Sequence, residues 1–435
     1  MKKVLVVLLA LGLVVAFSMP ASALENIFGG YWRTRAIMEK NFTGDDSEAM
    51  DLQQVDTRTR LYYTAKFTDY FKFVNKFEFD AVWGTGPLGD IGSDGQVFEI
   101  KNSYVDFTVP SVNIKAGIQG FVLGRGFLFD DDASGLKVTY FKDNLLVPFV
   151  WVKAFEGGAG KDMNDRDVDV YVLAPIIKMD KITVSPYAVW MTSQDINGWG
   201  VNLGNPLLTI AESCDVYYLG LDVDADLGAA SVWFTGIYEF GDADVNAAVY
   251  QAIYGVAPPA DSVDVSAYLI ALGGSADVTD MASVHGEFFY ATGQEDGLGT
   301  VIFNGDDLDA FTVTAGQSYY WAEIMGLGIF DEQASNGSCA DGISDIMAVN
   351  LGATAKPMDK LSVTLDLWYA TLAEDDANGE DDLGTEVDLI VTYNLMENLN
   401  LDFVAAYLFA GDATTGKAKD DANPYEIGTR LSLSF

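Results

Sequence analysis

The sequence predicts an all-β protein, a transmembrane antiparallel β-barrel of about 18 strands that follows a cleaved signal peptide. Three observations predict this fold: an export signal at the start, segments in which apolar and polar residues alternate, and connections that alternate between short and long. The composition is 49% hydrophobic, yet the formal net charge is −39. Because an apolar and aromatic chain this acidic is unusual among soluble proteins, the composition favours a barrel whose apolar residues face lipid.

The first residues have the pattern of a secretory signal peptide. Lys2 and Lys3 precede an apolar run over 4–17, and the small-residue triplet 21–23 follows. A basic region, a short apolar region and an A-x-A site together mark a cleavable export signal, and the run is too short to be read as a membrane-spanning helix. We therefore predict a signal peptide over 1–23 and a single barrel domain over 24–435.

The remainder of the chain contains no further apolar run of about 20 residues, the length that a spanning helix requires. Backbone groups in lipid must be satisfied internally, so only helices and closed barrels cross a membrane. The sequence therefore favours the barrel. The acidic balance also argues against nucleic-acid binding, which needs a basic surface.

Segments of about ten residues with period-2 hydrophobicity are typical of strands in such barrels. The clearest is 54–67, where Val55, Leu61 and Phe67 share one face and Asp56 lies on the other. Eighteen such segments are predicted, at 29–40, 54–67, 71–83, 97–109, 112–122, 135–142, 146–156, 167–177, 182–192, 214–224, 230–240, 262–274, 281–292, 345–356, 361–373, 385–395, 399–409 and 425–435.

The connections after even-numbered segments are short, and most of those after odd-numbered segments are long and polar. This alternation predicts short periplasmic turns, long outer loops and both chain ends in the periplasm. The stretch 293–344 contains apolar residues and is either one very long outer loop or a loop with an extra hairpin, so 16, 18 and 20 strands are all open. Cys214 and Cys339 both fall on the outer side, where a disulfide could hold this loop.

Five of the seven arginines lie at water-facing positions of the first, second and last segments. These three segments adjoin one another when the barrel closes. These are Arg33, Arg35, Arg58, Arg60 and Arg430, and Lys66, Lys72 and Lys76 extend the same stripe. Such residues are costly against lipid and can steer ions inside a pore. The alternative is that these arginines simply pair with Asp56 and other inner acids.

The connection after the fifth segment begins with glycines and ends in an acidic cluster: Arg125 is followed by Asp130, Asp131 and Asp132. The last segment alternates strictly and ends on Phe435. With these two features the chain resembles the Gram-negative outer-membrane porin superfamily. The resemblance implies that the loop folds inward as a constriction with its acids facing the basic wall. The alternative is that the three aspartates form a solvated surface turn.

The resemblance also implies an outer-membrane location with lipid and lipopolysaccharide as surroundings. It further implies that Phe435 is part of the signal read by the barrel-assembly machinery, and that a homotrimer is a candidate assembly. The expected function is a water-filled channel for passive diffusion of small hydrophilic solutes or ions. Inner acids predict a mild cation preference, which the arginines oppose locally; the acids placed inside are Asp80, Asp106, Asp169, Asp222, Asp264, Asp366, Asp388 and Asp402.

The sequence predicts no enzyme, no cofactor and no metal site. It has one histidine and two cysteines, too few for ordinary zinc sites, and it has no G-x-S-x-G nucleophile motif. The main alternative function is a structural or conduit barrel that houses a partner, such as an electron-transfer cytochrome, or an adhesin. The sequence also leaves open an outer-membrane barrel enzyme or a soluble β-rich secreted protein.

Overall fold

A computed structural model describes residues 24–42, 44–46, 51–85, 98–156, 167–194, 206–294, 307–314, 319–326, 328–330, 343–376, 378–416 and 421–435. The predicted signal peptide, 1–23, lies outside these residues. The strands are β1 (Glu25–Lys40), β2 (Leu52–Thr68), β3 (Phe71–Val82), β4 (Glu99–Val109), β5 (Val112–Leu123), β6 (Phe129–Lys142), β7 (Leu145–Phe155), β8 (Val168–Leu173), β9 (Ile176–Lys178), β10 (Ile182–Ser193), β11 (Ala211–Asp226), β12 (Ala230–Val245), β13 (Ser262–Thr279), β14 (Ala282–Ala291), β15 (Asp307–Leu308), β16 (Ile346–Met358), β17 (Leu361–Thr371), β18 (Asp382–Met396), β19 (Leu399–Ala410) and β20 (Tyr425–Ser434). The helices are α1 (Pro206–Ile210), α2 (Ala247–Tyr254) and α3 (Asp412–Thr415).

The strands form one closed antiparallel barrel, because β1 pairs with β2 on one side and with β20 on the other. The segments β8 and β9 both pair with β7 and with β10, so together they make one interrupted barrel strand. The two-residue β15 adds to β13 in parallel at its edge. The described residues therefore make an 18-stranded barrel, which confirms the predicted fold class and the preferred strand number.

The barrel closes at the last residue of the chain. The backbone N–H of Gly30 donates to the carbonyl of Phe435 at 2.7 Å, and the Phe435 N–H donates back at 3.1 Å. A Cβ at Gly30 would lie 2.5 Å from the Phe435 ring. The same Cβ would lie 2.6 Å from the backbone carbonyl oxygen of Arg60, which cannot move aside, so this position requires glycine.

Alternation along the strands separates an apolar outer face from the interior, as predicted. Leu61 and Phe67 of β2 are exposed on the outer face, while Asp56 on the opposite face is buried. Within the described residues, no helix has both the length and the apolar character that crossing a membrane would require.

Eight connections of two or three residues lie at one end of the barrel, and the long loops lie at the other, which we call the outer end. The prediction for the connection after β5 is wrong in its extent: β6 begins at Phe129 and not at 135, because Phe129–Ser134 continue the ladder with β5. In the long stretch, β14 pairs directly with β16. The described part of 293–344 therefore adds no barrel hairpin.

The outer half of the interior is filled by a hydrophobic core, although the predicted lumen wall is polar. Val263 and Val265 of β13 are buried inside, and Asp264 between them is exposed. Likewise Asp169 lies between the buried Val168 and Val170. The prediction of inner positions for Asp169 and Asp264 is therefore wrong, because the residues that pack inside these two strands are apolar.

Candidate functional site

Two loops meet inside the barrel and narrow it. One is the third outer loop, Gly124–Leu128, between β5 and β6. The other is the inner segment, which we define as the described residues 307–314, 319–326 and 328–330 between β14 and β16. The Phe127 ring of the third outer loop stacks on Tyr319 of the inner segment, with the ring centroids 3.9 Å apart and the planes 19° apart. Both loops therefore share one packed core in the lumen.

Two fully buried glutamates of the wall hold the inner segment by accepting its hydrogen bonds. Glu239 of β12 accepts from the Thr312 N–H at 2.7 Å and from the Thr312 hydroxyl at 2.6 Å. Glu386 of β18 accepts from the N–H groups of Ile324 at 2.6 Å and Met325 at 2.8 Å. Each glutamate accepts two hydrogen bonds from the inner segment, and a buried donor left without an acceptor costs about 1–3 kcal/mol, so these glutamates are polar anchors of the inner segment.

Further contacts tie the inner segment to the wall and to the third outer loop. The Tyr319 hydroxyl donates to Glu287 of β14 at 3.0 Å. The Thr314 hydroxyl donates to the carbonyl of Leu128 at 3.4 Å. The constriction is thus fixed on two sides, by wall carboxylates and by the third outer loop.

The five arginines of the predicted stripe lie together on the wall formed by β20, β1 and β2. Arg33 faces Arg58 across one strand pair, and Arg35 faces Arg430 across the next. Lys72 and Lys76 follow on β3, where Lys72 pairs with Asp106 at 3.3 Å and Lys76 lies 5.1 Å from the Tyr62 ring centroid. The order of the strands in the barrel brings these residues together, as the alternation of inward and outward residues predicts.

Acids of the same wall pair with these arginines. The ion pairs are Arg35 with Asp56 at 2.7 Å, Arg58 with Asp80 at 2.7 Å, Arg430 with Asp402 at 2.9 Å, and Arg60 with Glu78. The sequence left open whether the arginines pair with Asp56 and other inner acids, and the structure shows that they do. The wall presents alternating charges instead of an uncompensated positive stripe.

The inner segment, through its backbone carbonyls, faces the arginine stripe. Arg430 donates to the carbonyl of Ile329 at 2.7 Å, and Arg33 donates to the carbonyl of Phe330 at 3.5 Å. A cavity of about 620 Å³ lies beside these contacts and is lined by Arg33, Arg58, Arg60, Arg430 and Tyr320, among others. Carbonyl dipoles on one side and guanidinium groups on the other therefore border this part of the lumen.

The predicted acidic partners lie elsewhere. Asp130, Asp131 and Asp132 belong to β6, and Asp132 accepts from Asn102 at 2.6 Å and lies 3.5 Å from Lys101. Arg125 is in the third outer loop, but it pairs with Asp224 at 2.7 Å and lies over the Trp233 ring at 4.6 Å. Among the described contacts, none joins the three aspartates to the arginine stripe.

The inner segment is the part that sequence reasoning missed. A signal for it was present, because 319–330 is apolar within an otherwise polar outer connection. Cys214 is buried near the outer end of β11, and Cys339 lies outside the described residues, so their disulfide stays a prediction. Within the described ranges, no group of three or more His, Cys, Asp or Glu side chains is arranged to hold a metal ion.

Glu323 of the inner segment gives the constriction an expected pH dependence. Burial, with a smaller contribution from Glu386, raises the pKa of Glu323 from 4.5 to about 7, although the N–H of Ile329 donates to it. The acidic and basic groups around it are Glu386, Asp388, Glu426, Arg430 and Asp366. A raised pKa means that the docked segment binds a proton more tightly than the released one. Docking is therefore strongest below about pH 4.5 and weakens as the pH rises through about 7.

We expect single-channel conductance to increase between about pH 5 and about pH 8 as docking weakens. The E323Q variant is expected to flatten this dependence, because glutamine does not titrate and keeps an acceptor for Ile329. Conductance recorded at several pH values in both proteins checks the prediction. An equally steep dependence in E323Q would assign the titration to another group.

Comparison with solved structures supports the fold. The chain is similar to Acinetobacter baumannii OccAB1 (14% identity, TM-score 0.57, 94% of this chain and 97% of that one) and to Pseudomonas aeruginosa OccK8, or OprE (11%, 0.58, 94% and 98%). It is also similar to the outer membrane protein OpdK of Pseudomonas aeruginosa (9%, 0.55, 94% and 99%). No protein-family profile matches the chain, and no curated protein matches it in sequence. The closed 18-stranded barrel and the coverage of these structures together identify the chain as having the porin-like outer-membrane β-barrel fold.

Proposed function

We propose that the protein is a non-enzymatic outer-membrane channel that allows passive diffusion of small hydrophilic solutes or ions. The observation that carries this proposal is the cavity between the arginine stripe and the inner segment. Guanidinium groups, carboxylates and backbone carbonyls border that cavity, and such groups can replace part of the hydration of a passing solute. The driving force is the solute gradient alone.

The main alternative, a conduit that houses a partner protein, is disfavoured by the packing of the lumen. Side chains of the inner segment such as Phe311, Ile324 and Met325 are fully buried between the walls. The protein's own chain thus occupies space that a partner inside the barrel would need. The narrow remaining space suits small solutes better than a folded domain.

The surroundings that follow from this function are outer-membrane lipid and lipopolysaccharide. The exposed apolar outer face supports contact with lipid. Phe435 is 59% exposed beside the closing strand pair, which supports a role for this end of the chain in recognition by the barrel-assembly machinery. A homotrimer is a further proposal from the resemblance to porins.

The function is tested by single-channel recording of the refolded mature protein in planar bilayers. Stable open steps are expected. A well-folded barrel, verified by heat-modifiable gel migration, that never conducts would contradict the proposal and favour a plugged or structural barrel.

The variant D130N/D131N/D132N tests whether the β6 acids contribute to ion selection. Asp131 and Asp132 line a lumen cavity, so removing their charge is expected to lower the cation-to-anion permeability ratio. Reversal potentials across a KCl gradient measure this ratio. The matched control is D375N/D381N/D382N, which changes three exposed aspartates near the outer loop that follows β17. An equal shift in both variants would point to overall charge and exclude a specific contribution of β6.

A further inference from the structure

The same short sequence occurs in two turns at the end of the barrel opposite the outer end. Residues 178–182, which join β9 to β10, read KMDKI, and residues 356–361, which join β16 to β17, read KPMDKL. We call these the two Met-Asp-Lys turns, and this triplet occurs nowhere else in the sequence. Neither turn belongs to the constriction, so the proposed channel function does not account for the repetition.

The two turns have the same backbone frame. In the first, the N–H of Met179 donates to the carbonyl of Ile182 at 2.7 Å, and the Ile182 N–H donates back at 3.2 Å. In the second, Met358 is opposite Leu361 in the ladder between β16 and β17. Aspartate and lysine therefore take the two tip positions of each turn. Each turn has one lysine before its methionine and one after its aspartate, and all four are exposed: Lys178, Lys181, Lys356 and Lys360.

The walls that these turns close differ inside the barrel. Near the first turn, β8 and β10 present the buried Val172 and Val189 to the interior. Near the second turn the inner residues are polar, and the Asn350 amide of β16 donates to Asp366 of β17 at 3.1 Å. A function in the lumen would therefore not call for the same turn at both places. What the turns share is their position at the edge of the lipid-facing surface.

Apolar side chains connect both turns with that surface. Met179 is 48% exposed and Met358 is 56% exposed. On the strands that follow the turns, Ile182 and Leu365 are exposed on the outer face of the barrel. Each turn therefore continues an apolar surface that already faces lipid, and it adds lysines at the lower edge of that surface.

The lysines of both turns make no ion pair with the residues that the structure describes. The acid of each turn, Asp180 or Asp359, stands between its two lysines in the sequence. In the turn between β2 and β3, by contrast, Lys66 pairs with Asp69 at 2.8 Å. Each Met-Asp-Lys turn thus offers two ammonium groups against one carboxylate, in a chain whose formal net charge is −39.

The acids of the adjoining turns are separate from these lysines. Beside the first turn, Asp226 accepts a hydrogen bond of 2.8 Å within its own turn, and Asp143 follows a further lysine, Lys142. Beside the second turn are Asp280 and Glu397, and the described contacts include no ion pair between either of them and a turn lysine. An anion from outside the chain can therefore reach the ammonium groups of both turns.

We propose that each Met-Asp-Lys turn binds the phosphate group of an anionic phospholipid in the periplasmic leaflet of the membrane. Lysine side chains at a membrane interface bury their carbon stems and keep the ammonium group at the level of the headgroups. The two ammonium groups of a turn would hold the phosphate, and the methionine would lie against the acyl chains. The inference goes beyond the channel function and does not depend on it.

The test uses the refolded mature protein in vesicles that contain equal amounts of phosphatidylglycerol and phosphatidylcholine. The protein is extracted with its retained lipid, and mass spectrometry measures the ratio of the two lipids. Each lysine near an anionic membrane surface strengthens attraction by roughly fivefold in affinity, so the wild-type protein is expected to retain several-fold more phosphatidylglycerol than phosphatidylcholine. A high KCl concentration is expected to lower this ratio, because salt screens exposed charges.

Two variants, K178Q/K181Q and K356Q/K360Q, each remove the lysines of one turn. The turns are separated by β10, β11, β12, β13, β14 and β16, which makes the two sites independent. Each variant is therefore expected to lose roughly half of the excess of phosphatidylglycerol.

The matched control is K40Q/K101Q, which removes the same charge near the outer end. There Lys40 pairs with Asp51 at 2.8 Å, and Lys101 lies 3.5 Å from Asp132. This variant is expected to retain the wild-type ratio of lipids. The variant K178R/K181R/K356R/K360R keeps all four positive charges, and it is expected to do the same.

Heat-modifiable gel migration establishes that each variant forms a barrel. A wild-type ratio equal to that of the vesicles would overturn the proposal, and so would an equal loss in K178Q/K181Q and K40Q/K101Q. Displacement of the retained phosphatidylglycerol by glycerol phosphate would show that a free phosphate suffices, and it would overturn the lipid as the occupant. Lipid retention that depends on the turn lysines, in a protein that never conducts, would support the inference and overturn only the channel.

Discussion

The E239Q/E386Q variant is expected to conduct at least roughly twofold more current than the wild type. The two glutamates accept four hydrogen bonds from the inner segment, at Thr312, Ile324 and Met325. A buried N–H or hydroxyl group that loses its acceptor costs about 1–3 kcal/mol. Each glutamate uses both carboxyl oxygens as acceptors and glutamine offers only one, so the inner segment should leave the lumen for part of the time.

The control for this experiment is E212Q/E397Q, which removes the same charge from exposed positions outside the constriction. It is expected to conduct like the wild type. Heat-modifiable gel migration establishes that both variants form barrels. If E239Q/E386Q formed a barrel with unchanged conductance, the apolar packing of Phe311 and Phe127 would hold the inner segment without its polar anchors.

The barrel and the arginine stripe could be predicted from sequence because both depend on a period of two residues. That Arg33 lies beside Arg58 and Arg35 beside Arg430 follows from two facts alone: inward and outward residues alternate along a strand, and the barrel closes between its first and last strands. The sequence could offer ion pairing of these arginines only as one of two possibilities. Alternation places an acid and an arginine on the same face of the sheet, but it does not fix which of their side-chain atoms come into contact.

The inner segment could not be placed from sequence, because loop residues lack a period that shows which wall they contact. Its anchors are two glutamates, Glu239 and Glu386, which appear in the sequence as ordinary inner acids of an acidic chain. On β7 and β8 both faces are apolar, so alternation does not reveal which valines face the lumen.

The second large effect is expected from R58Q/R60Q, which should increase the cation-to-anion permeability ratio several-fold. Arg58 and Arg60 have side chains that are 19% and 32% exposed to the lumen, and they lie beside Glu78 and Asp80. Without the arginines, these two carboxylates add negative charge next to the cavity beside the arginine stripe. Cations would then be favoured and anions repelled, because charges at a narrow point bias what passes.

Two companion variants identify charge as the cause. R58K/R60K keeps both positive charges and is expected to retain the wild-type reversal potential in a KCl gradient. R58Q/R60Q/E78Q/D80N removes the acids as well, and it is expected to return the reversal potential toward that of the wild type. Because the arginines and acids on this wall neutralise each other, the cation-to-anion permeability ratio should depend on the net charge of the wall and not on the number of arginines. A reversal potential that none of the three variants changes would show that ions take a path away from the arginine stripe.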